Sequence, residues 1–317
     1  MELTYGDVKT ASDRITGSVR PVALAPGDVV PSTGSGPREL WLALEFMQHT
    51  GSFKARGARN FIQAHRDDGT LSDAGVTIAS GGNAGLACAW AARGQGVRAT
   101  VFLPTTAPAV KVERLRGYGA DVRLVGMEYA EALAACREYA HSSGALLSHA
   151  YDNPYIAAGA GTLMMEIHRQ LPRLDTVVVA VGGGGLFAGI ATVAHHYGVR
   201  TIAVEPENCR ALHAAIQAGT IVDAPVDSVA ADSLGARRAT ELALYAAQNY
   251  DVTSVLVPDE DIIATRQALW HDRRLAVEHA AATALAALTT GTYRPESGER
   301  ACVVLCGANT DPSDLAR

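Results

Sequence analysis

The chain has 317 residues and a mass of 33.1 kDa, too long for one small module and enough for two lobes of about 100 to 200 residues each. Hydrophobic residues make up 48% and charged residues 19%, which excludes a disordered chain and permits a large core. With 27 Lys+Arg against 33 Asp+Glu the net charge is −6, so neither nucleic acid nor a membrane surface is expected as a partner, and a small molecule is.

In chain order, a loop over Pro26–Pro37, with its prolines and glycines, reads as a surface connection ahead of a strand at Leu40–Glu45. The segment Gly51-Ser52-Phe53-Lys54-Ala55-Arg56-Gly57-Ala58 then opens a helix over Phe53–Arg66. Ser52 is the expected N-cap, which puts Lys54 in the first helical turn, where the positive end of the helix dipole disfavours a cation. A lysine kept partly neutral to form a Schiff base is the functional reading, and a surface lysine beside Arg56 and Arg59 is the plain alternative.

A strand at Val76–Ala79 leads through Ser80-Gly81-Gly82-Asn83 into a helix at Asn83–Arg93. Small residues at a helix start expose N–H groups that hold a carboxylate or phosphate, although glycine also serves merely to turn. Strands at Arg98–Leu103, Asp121–Val125 and Ala145–His149 alternate with helices at Ala109–Gly117, Ala130–Ser142 and Pro154–Gln170.

The run Thr176–Val181 is apolar after its first residue, as expected of a central strand covered on both faces, and it delivers Gly182-Gly183-Gly184-Gly185 to a helix at Leu186–Tyr197. Four glycines are costly to order, and a phosphate wrapped by their N–H groups offsets that cost. A rival reading exists, because Gly183, Gly185 and Ala188 satisfy G-x-G-x-x-A and Glu205 follows, as in a dinucleotide loop. Strands at Thr201–Glu205, Thr253–Val257 and Ala301–Cys306 complete the pattern with helices at Arg238–Asn249, Glu260–His271 and Ala276–Leu288. Cys306 then lies at a strand's carboxyl end, either facing a ligand or buried and inert with Cys302.

The alternation predicts an α/β fold with parallel-rich sheets covered by helices on both faces. Five scattered cysteines without a C-x-x-C pair predict reduced thiols and no zinc ribbon. No apolar run reaches the roughly 18 to 20 residues of a membrane span and the first residues lack a signal peptide's features, so a cytoplasmic protein is expected.

Together and in this order, these segments resemble the serine/threonine dehydratases, pyridoxal-phosphate enzymes of the tryptophan-synthase-β structural group (fold type II), along nearly the whole chain. The resemblance implies a two-lobed molecule with pyridoxal 5'-phosphate (PLP) in the cleft between lobes. The larger lobe is expected at residues 1–50 and 146–317, and a smaller inserted lobe at 51–145. It further implies that Lys54 anchors the cofactor and serves as general base, Phe53 packs beside it and Asn83 bonds its ring hydroxyl. By the same resemblance Gly182, Gly183, Gly184 and Gly185 hold its phosphate, Cys306 faces its pyridine nitrogen, and Ser80, Gly81, Gly82 and Asn83 clasp the substrate carboxylate.

The implied reaction is β-elimination, a dehydration and deamination of L-serine, L-threonine or a related β-hydroxy amino acid to a 2-oxo acid and ammonia, in a homodimer. A nucleotide-dependent oxidoreductase and a protein of this fold that binds amino acid without turnover remain the alternatives. Related racemases carry a serine where this chain has Gly81, so little racemisation is expected, and Gly81 is expected to leave room for larger β-substituents. Some relatives bind a cation near the segment equivalent to Val204-Glu205-Pro206, but the stretch that follows here, Asn208-Cys209-Arg210-Ala211, offers no acidic partner, so no metal site is predicted. Only eleven residues follow Cys306, so neither an appended regulatory domain nor inhibition by isoleucine is expected.

Overall fold

The computed structural model describes residues 2–27 and 39–315. Among the described residues the ten strands are β1 (Leu24–Pro26), β2 (Glu39–Ala43), β3 (Val76–Ala79), β4 (Ala99–Leu103), β5 (Asp121–Leu124), β6 (Leu146–Leu147), β7 (Thr176–Ala180), β8 (Arg200–Pro206), β9 (Val252–Val257) and β10 (Arg300–Val304). The described helices are α1 (Tyr5–Ile15), α2 (Lys54–Asp67), α3 (Asn83–Arg93), α4 (Ala109–Gly117), α5 (Tyr129–Ser143), α6 (Pro154–Gln170), α7 (Gly185–His196), α8 (Ala211–Ala218), α9 (Ala231–Leu234), α10 (Glu241–Asn249), α11 (Asp259–Arg273) and α12 (His279–Thr289). Most of the loop expected at Pro26–Pro37, residues 28–37, lies outside the described residues.

The strands form two sheets. A six-stranded sheet runs β1-β2-β10-β7-β8-β9, parallel except for the antiparallel β1, and a four-stranded parallel sheet runs β5-β4-β3-β6. β7 is interior and buried at every residue, as its apolar sequence predicts. The larger core joins the six-stranded sheet to α6, α7 and α12, while a separate cluster around Phe61, Ile78, Leu86, Val101 and Leu115 fills the smaller unit.

Two expectations shift at the boundaries. β6 is shorter than the expected Ala145–His149 and pairs with β3. Ser52 does not cap α2. It is extended at φ −160° and ψ 159° and bridges to Gly307, leaving Phe53 at the cap position without a side-chain bond. The pull is tertiary: Phe53 N donates to Cys306 O at 3.0 Å and Ala308 N to Gly51 O at 2.9 Å, so the entry to α2 is stitched to the loop after β10.

α2 is fixed from below by Arg56, which is fully buried and not the surface neighbour of Lys54 that the plain reading supposed. Its guanidinium donates to both oxygens of Glu45 (2.7 and 3.0 Å), to both oxygens of Glu166 on α6 (2.7 and 3.0 Å) and to Thr162 Oγ1 (3.2 Å). A planar fork answering two carboxylates holds the helix that carries Lys54 in one rotation against α6.

Candidate active site

The carboxyl ends of the strands in both sheets open on one cavity of about 740 Å³, within the range of small-molecule sites. Its walls include every site residue expected from the sequence: Phe53, Lys54, Ser80, Gly81, Gly82, Asn83, Gly182, Gly183, Gly184, Gly185 and Cys306.

Lys54 is half-buried, and its Nζ donates to Ala150 O at 3.1 Å and lies 4.7 Å from the Phe53 ring centroid. Enclosure lowers the amine below the ordinary lysine range, opposed by Cys306 and Glu278. An amine of lowered basicity at the start of a helix in a cavity is suited to act as a nucleophile. Cys306 is buried, and burial pushes its thiol up, so the group stays protonated and neutral.

The glycine run turns into α7 at Gly184, whose φ of +97° disfavours a side chain. Close packing makes the remaining glycines necessary as well. A Cβ on Gly183 would enter the ring of Tyr151, one on Gly185 would lie 2.7 Å from Tyr151 O, and one on Gly182 would lie 2.9 Å from Leu234 Cα. The first N–H groups of α7 have no intrahelical acceptors, and this bare helix start is disposed to hold a phosphate.

The Ser80–Asn83 loop opens α3 in the same way, with Gly82 at the cap position and no capping side chain. Ser80 Oγ accepts from Gly82 N at 3.3 Å, so the hydroxyl is folded into its own loop. A Cβ on Gly81 would meet Leu103 Cδ2 at 2.8 Å, the movable end of a buried side chain, so a larger residue at this position needs that leucine to shift.

Asn83 is buried and engaged within the protein: its Nδ2 donates to Glu278 Oε1 and Oε2 at 3.1 and 3.0 Å, and its Oδ1 accepts from Asn309 Nδ2 at 2.6 Å. Glu278 and Tyr151 were not recognised in the sequence. Glu278 fell inside the helix expected at Ala276–Leu288, whereas α12 begins at His279 and leaves Glu278 as its extended N-cap. An acid immediately before an otherwise apolar alanine-rich helix was the available signal.

The dinucleotide reading loses its acid. Both oxygens of Glu205 accept backbone N–H bonds from Leu212 and His213 at 2.8 and 2.7 Å, and the residue caps α8 instead of lining the cavity. His195 and His196 stack on different rings, Tyr250 and Tyr5 respectively. Among the described residues no group of three or more potential ligands could hold a metal, and no helix is long and apolar enough to cross a membrane.

Parallel sheets that direct a lysine of lowered basicity, a glycine cradle without room for Cβ atoms and a neutral thiol into one cavity define an α/β enzyme built for an aldehyde cofactor bearing a phosphate. The chain belongs to the pyridoxal-phosphate dependent enzyme family, whose model matches residues 29–307. It is 36% identical over 316 residues to an L-threonine ammonia-lyase of Geobacter sulfurreducens, covering 99% of this chain and 77% of that one. It is also 36% identical to a human serine dehydratase-like protein over 282 residues, 85% of each chain. Among solved structures, maize serine racemase superposes with a TM-score of 0.89 at 28% identity, covering 100% of this chain and 96% of that one.

Proposed function

We propose that this PLP-dependent enzyme is an ammonia-lyase that eliminates the β-hydroxyl of L-serine, L-threonine or a related amino acid and releases a 2-oxo acid and ammonia. The observation that carries the reading is the Lys54 amine, lowered by burial and set in a cavity with the glycine run, the Ser80–Asn83 loop and a neutral cysteine. When bound, the cofactor supplies an electron sink for the charge left on the substrate's α-carbon.

In this proposal the rest is done by the chain. The N–H groups of Gly182–Gly185 and the first turn of α7 hold the phosphate, while the first turn of α3 takes the amino acid's carboxylate. Phe53 packs along one side, and Asn83 offers its amide toward the cofactor. Lys54 would anchor the cofactor through Nζ, and the same Nζ, when free, would take the substrate's α-proton, a task suited to an amine that burial makes easier to deprotonate. Cys306, protonated and uncharged, gives a cofactor nitrogen no ionic partner of the kind a carboxylate would.

Elimination is favoured over racemisation by the wall at Gly81. Returning a proton from the second face needs an acid there, and this position offers no side chain, a leucine methyl in its place and a Ser80 hydroxyl turned to Gly82 N. A homodimer is proposed on the family resemblance, and a cytoplasmic setting is supported by five free, buried cysteines.

The test is direct. Purified protein with PLP is expected to show a visible band that borohydride bleaches, and to release 2-oxo acid from a panel of β-hydroxy amino acids. Failure to take up added PLP overturns the cofactor assignment of Lys54. A coloured protein that turns over no member of the panel would instead be an amino-acid-binding relative.

A further inference from the structure

The Asn83 amide is held by two opposed partners. Asn309 Nδ2, which also donates to Thr50 O at 2.7 Å, occupies Asn83 Oδ1, and Arg114 Nη2 in turn donates to Asn309 Oδ1 at 2.6 Å. The carbonyl end of Asn83 is thereby fixed toward Asn309. Its Nδ2 meets both oxygens of Glu278 at 3.1 and 3.0 Å. Asn83 lines the cavity, so the two bonds to Glu278 and the one from Asn309 together set the direction in which its amide faces that space.

Glu278 is itself placed tightly. It is buried, and a Cβ on the facing Gly307 would run into its carboxylate. A buried carboxylate in a cavity wall is expensive unless it has a purpose or a partner.

We propose that Glu278 is the positioning residue of this site: it orients the Asn83 amide and sets a carboxyl group in the wall of the same cavity that Lys54 lines. The inference rests on the PLP reading of the cavity and adds a residue to it.

The groups that bear on the pair come from every neighbouring element. Lys54 feels Glu278 at the start of α12 and Cys306 after β10, and it in turn acts on His149 after β6. Glu278 feels Lys54, Asn83, Ser233 and Asp232. Burial keeps Cys306 and His149 uncharged, so neither substitutes for the carboxylate. Burial also raises Glu278 and lowers Lys54, and each draws the other back toward its charged form.

Capture of PLP by the cofactor-free protein reads this without any turnover. Nζ must be unprotonated to add to the aldehyde carbon, after which one water leaves, so the capture rate, followed by the growth of the visible band, inflects at the pKa of Lys54. Glu278→Gln retains an oxygen for Asn83 but removes the charge, and its inflection is expected about one pH unit lower, a tenfold change in the amine's proton affinity. Glu278→Asp should return most of the way. Glu278→Ala and Asn83→Ala should each weaken PLP affinity about tenfold, and the double variant should be no weaker than either, because the two act as one unit.

An inflection unmoved in Glu278→Gln, with thermal stability equal to the parent, overturns the charge role. Additive losses in the double variant overturn the orienting role. A protein that captures no PLP at any pH refutes the underlying cofactor reading, and is distinguished from both by its lack of a band.

Discussion

Replacement of Arg56 by alanine tests whether the position of Lys54 depends on a charge network that no substrate touches. The substitution strips Glu45, 1% exposed, of both its guanidinium bonds and Glu166 of two more. Breaking a buried pair by removing one member costs about 3 to 5 kcal/mol, since the remaining charge stays dehydrated. Glu45 can limit the loss by taking up a proton, because burial already pushes its carboxyl above the ordinary range.

That escape makes the penalty depend on pH. In the variant Glu45 titrates higher when folded than when unfolded, so the stability its protonated form supplies is present at low pH and is lost as pH rises. The loss steepens toward about 1.4 kcal/mol per unit between those two pKa values. Urea unfolding followed by circular dichroism should therefore show a loss of about 3 to 5 kcal/mol at pH 7 and a clearly smaller one at pH 5. Arg56→Lys, with one point charge for two carboxylates, should fall between. A loss below about 1 kcal/mol at pH 7, typical of an exposed pair, or one independent of pH, would refute the reasoning.

Three further outcomes follow from the same geometry. Gly183→Ala places a methyl in the Tyr151 ring, and overpacking of about 1 to 3 kcal/mol should reduce PLP affinity tenfold or more in an absorbance titration, with Tyr151→Ala recovering part of it. Unchanged affinity in the single variant would remove Tyr151 from the cradle. Gly81→Ser should slow elimination while yielding little D-serine by chiral chromatography until Leu103→Ala makes room for the new side chain; parental D-serine formation on the scale of 2-oxo acid release would contradict this assignment of the wall. Glu205, whose carboxyl burial raises from 4.5 to about 8, stabilises the fold at low pH and progressively less as pH climbs through that window. The melting-temperature advantage of the parent over Glu205→Gln should accordingly shrink from pH 5 to pH 9, and a constant gap would show that Glu205 is ionised throughout.

The sequence made the strongly periodic elements legible because each is decided locally. The apolar run that became β7 and the glycine run after it needed no knowledge of neighbours, and the loops at strand ends gathered as parallel α/β topology requires. What escaped depended on partners distant in the chain. Ser52 looked like an N-cap until Gly307 pulled it into a bridge, and Arg56 looked exposed until Glu45 and Glu166 closed on it. α1 buries only Val8, Ala11 and Ile15, a thin stripe, and its capping box of Thr4 and Asp7 was the one local sign of it. α9 has four residues, too few for any period, yet it brings Ser233 and Leu234 to the site.

The seam joining residues 50–53 to residues 306–309 has a consequence for biosynthesis. Lys54 leaves the ribosome early, but Gly51, Ser52 and Phe53 acquire their partners, and Thr50 its bond from Asn309, only after β10 and the following loop have been translated. The smaller sheet, built from consecutive segments, is free to form during elongation while the lysine's enclosure waits. Enclosure of Lys54 is therefore a late event, completed only in chains read through β10 and the loop after it, and a chain released before that point leaves the lysine without this wall of its pocket.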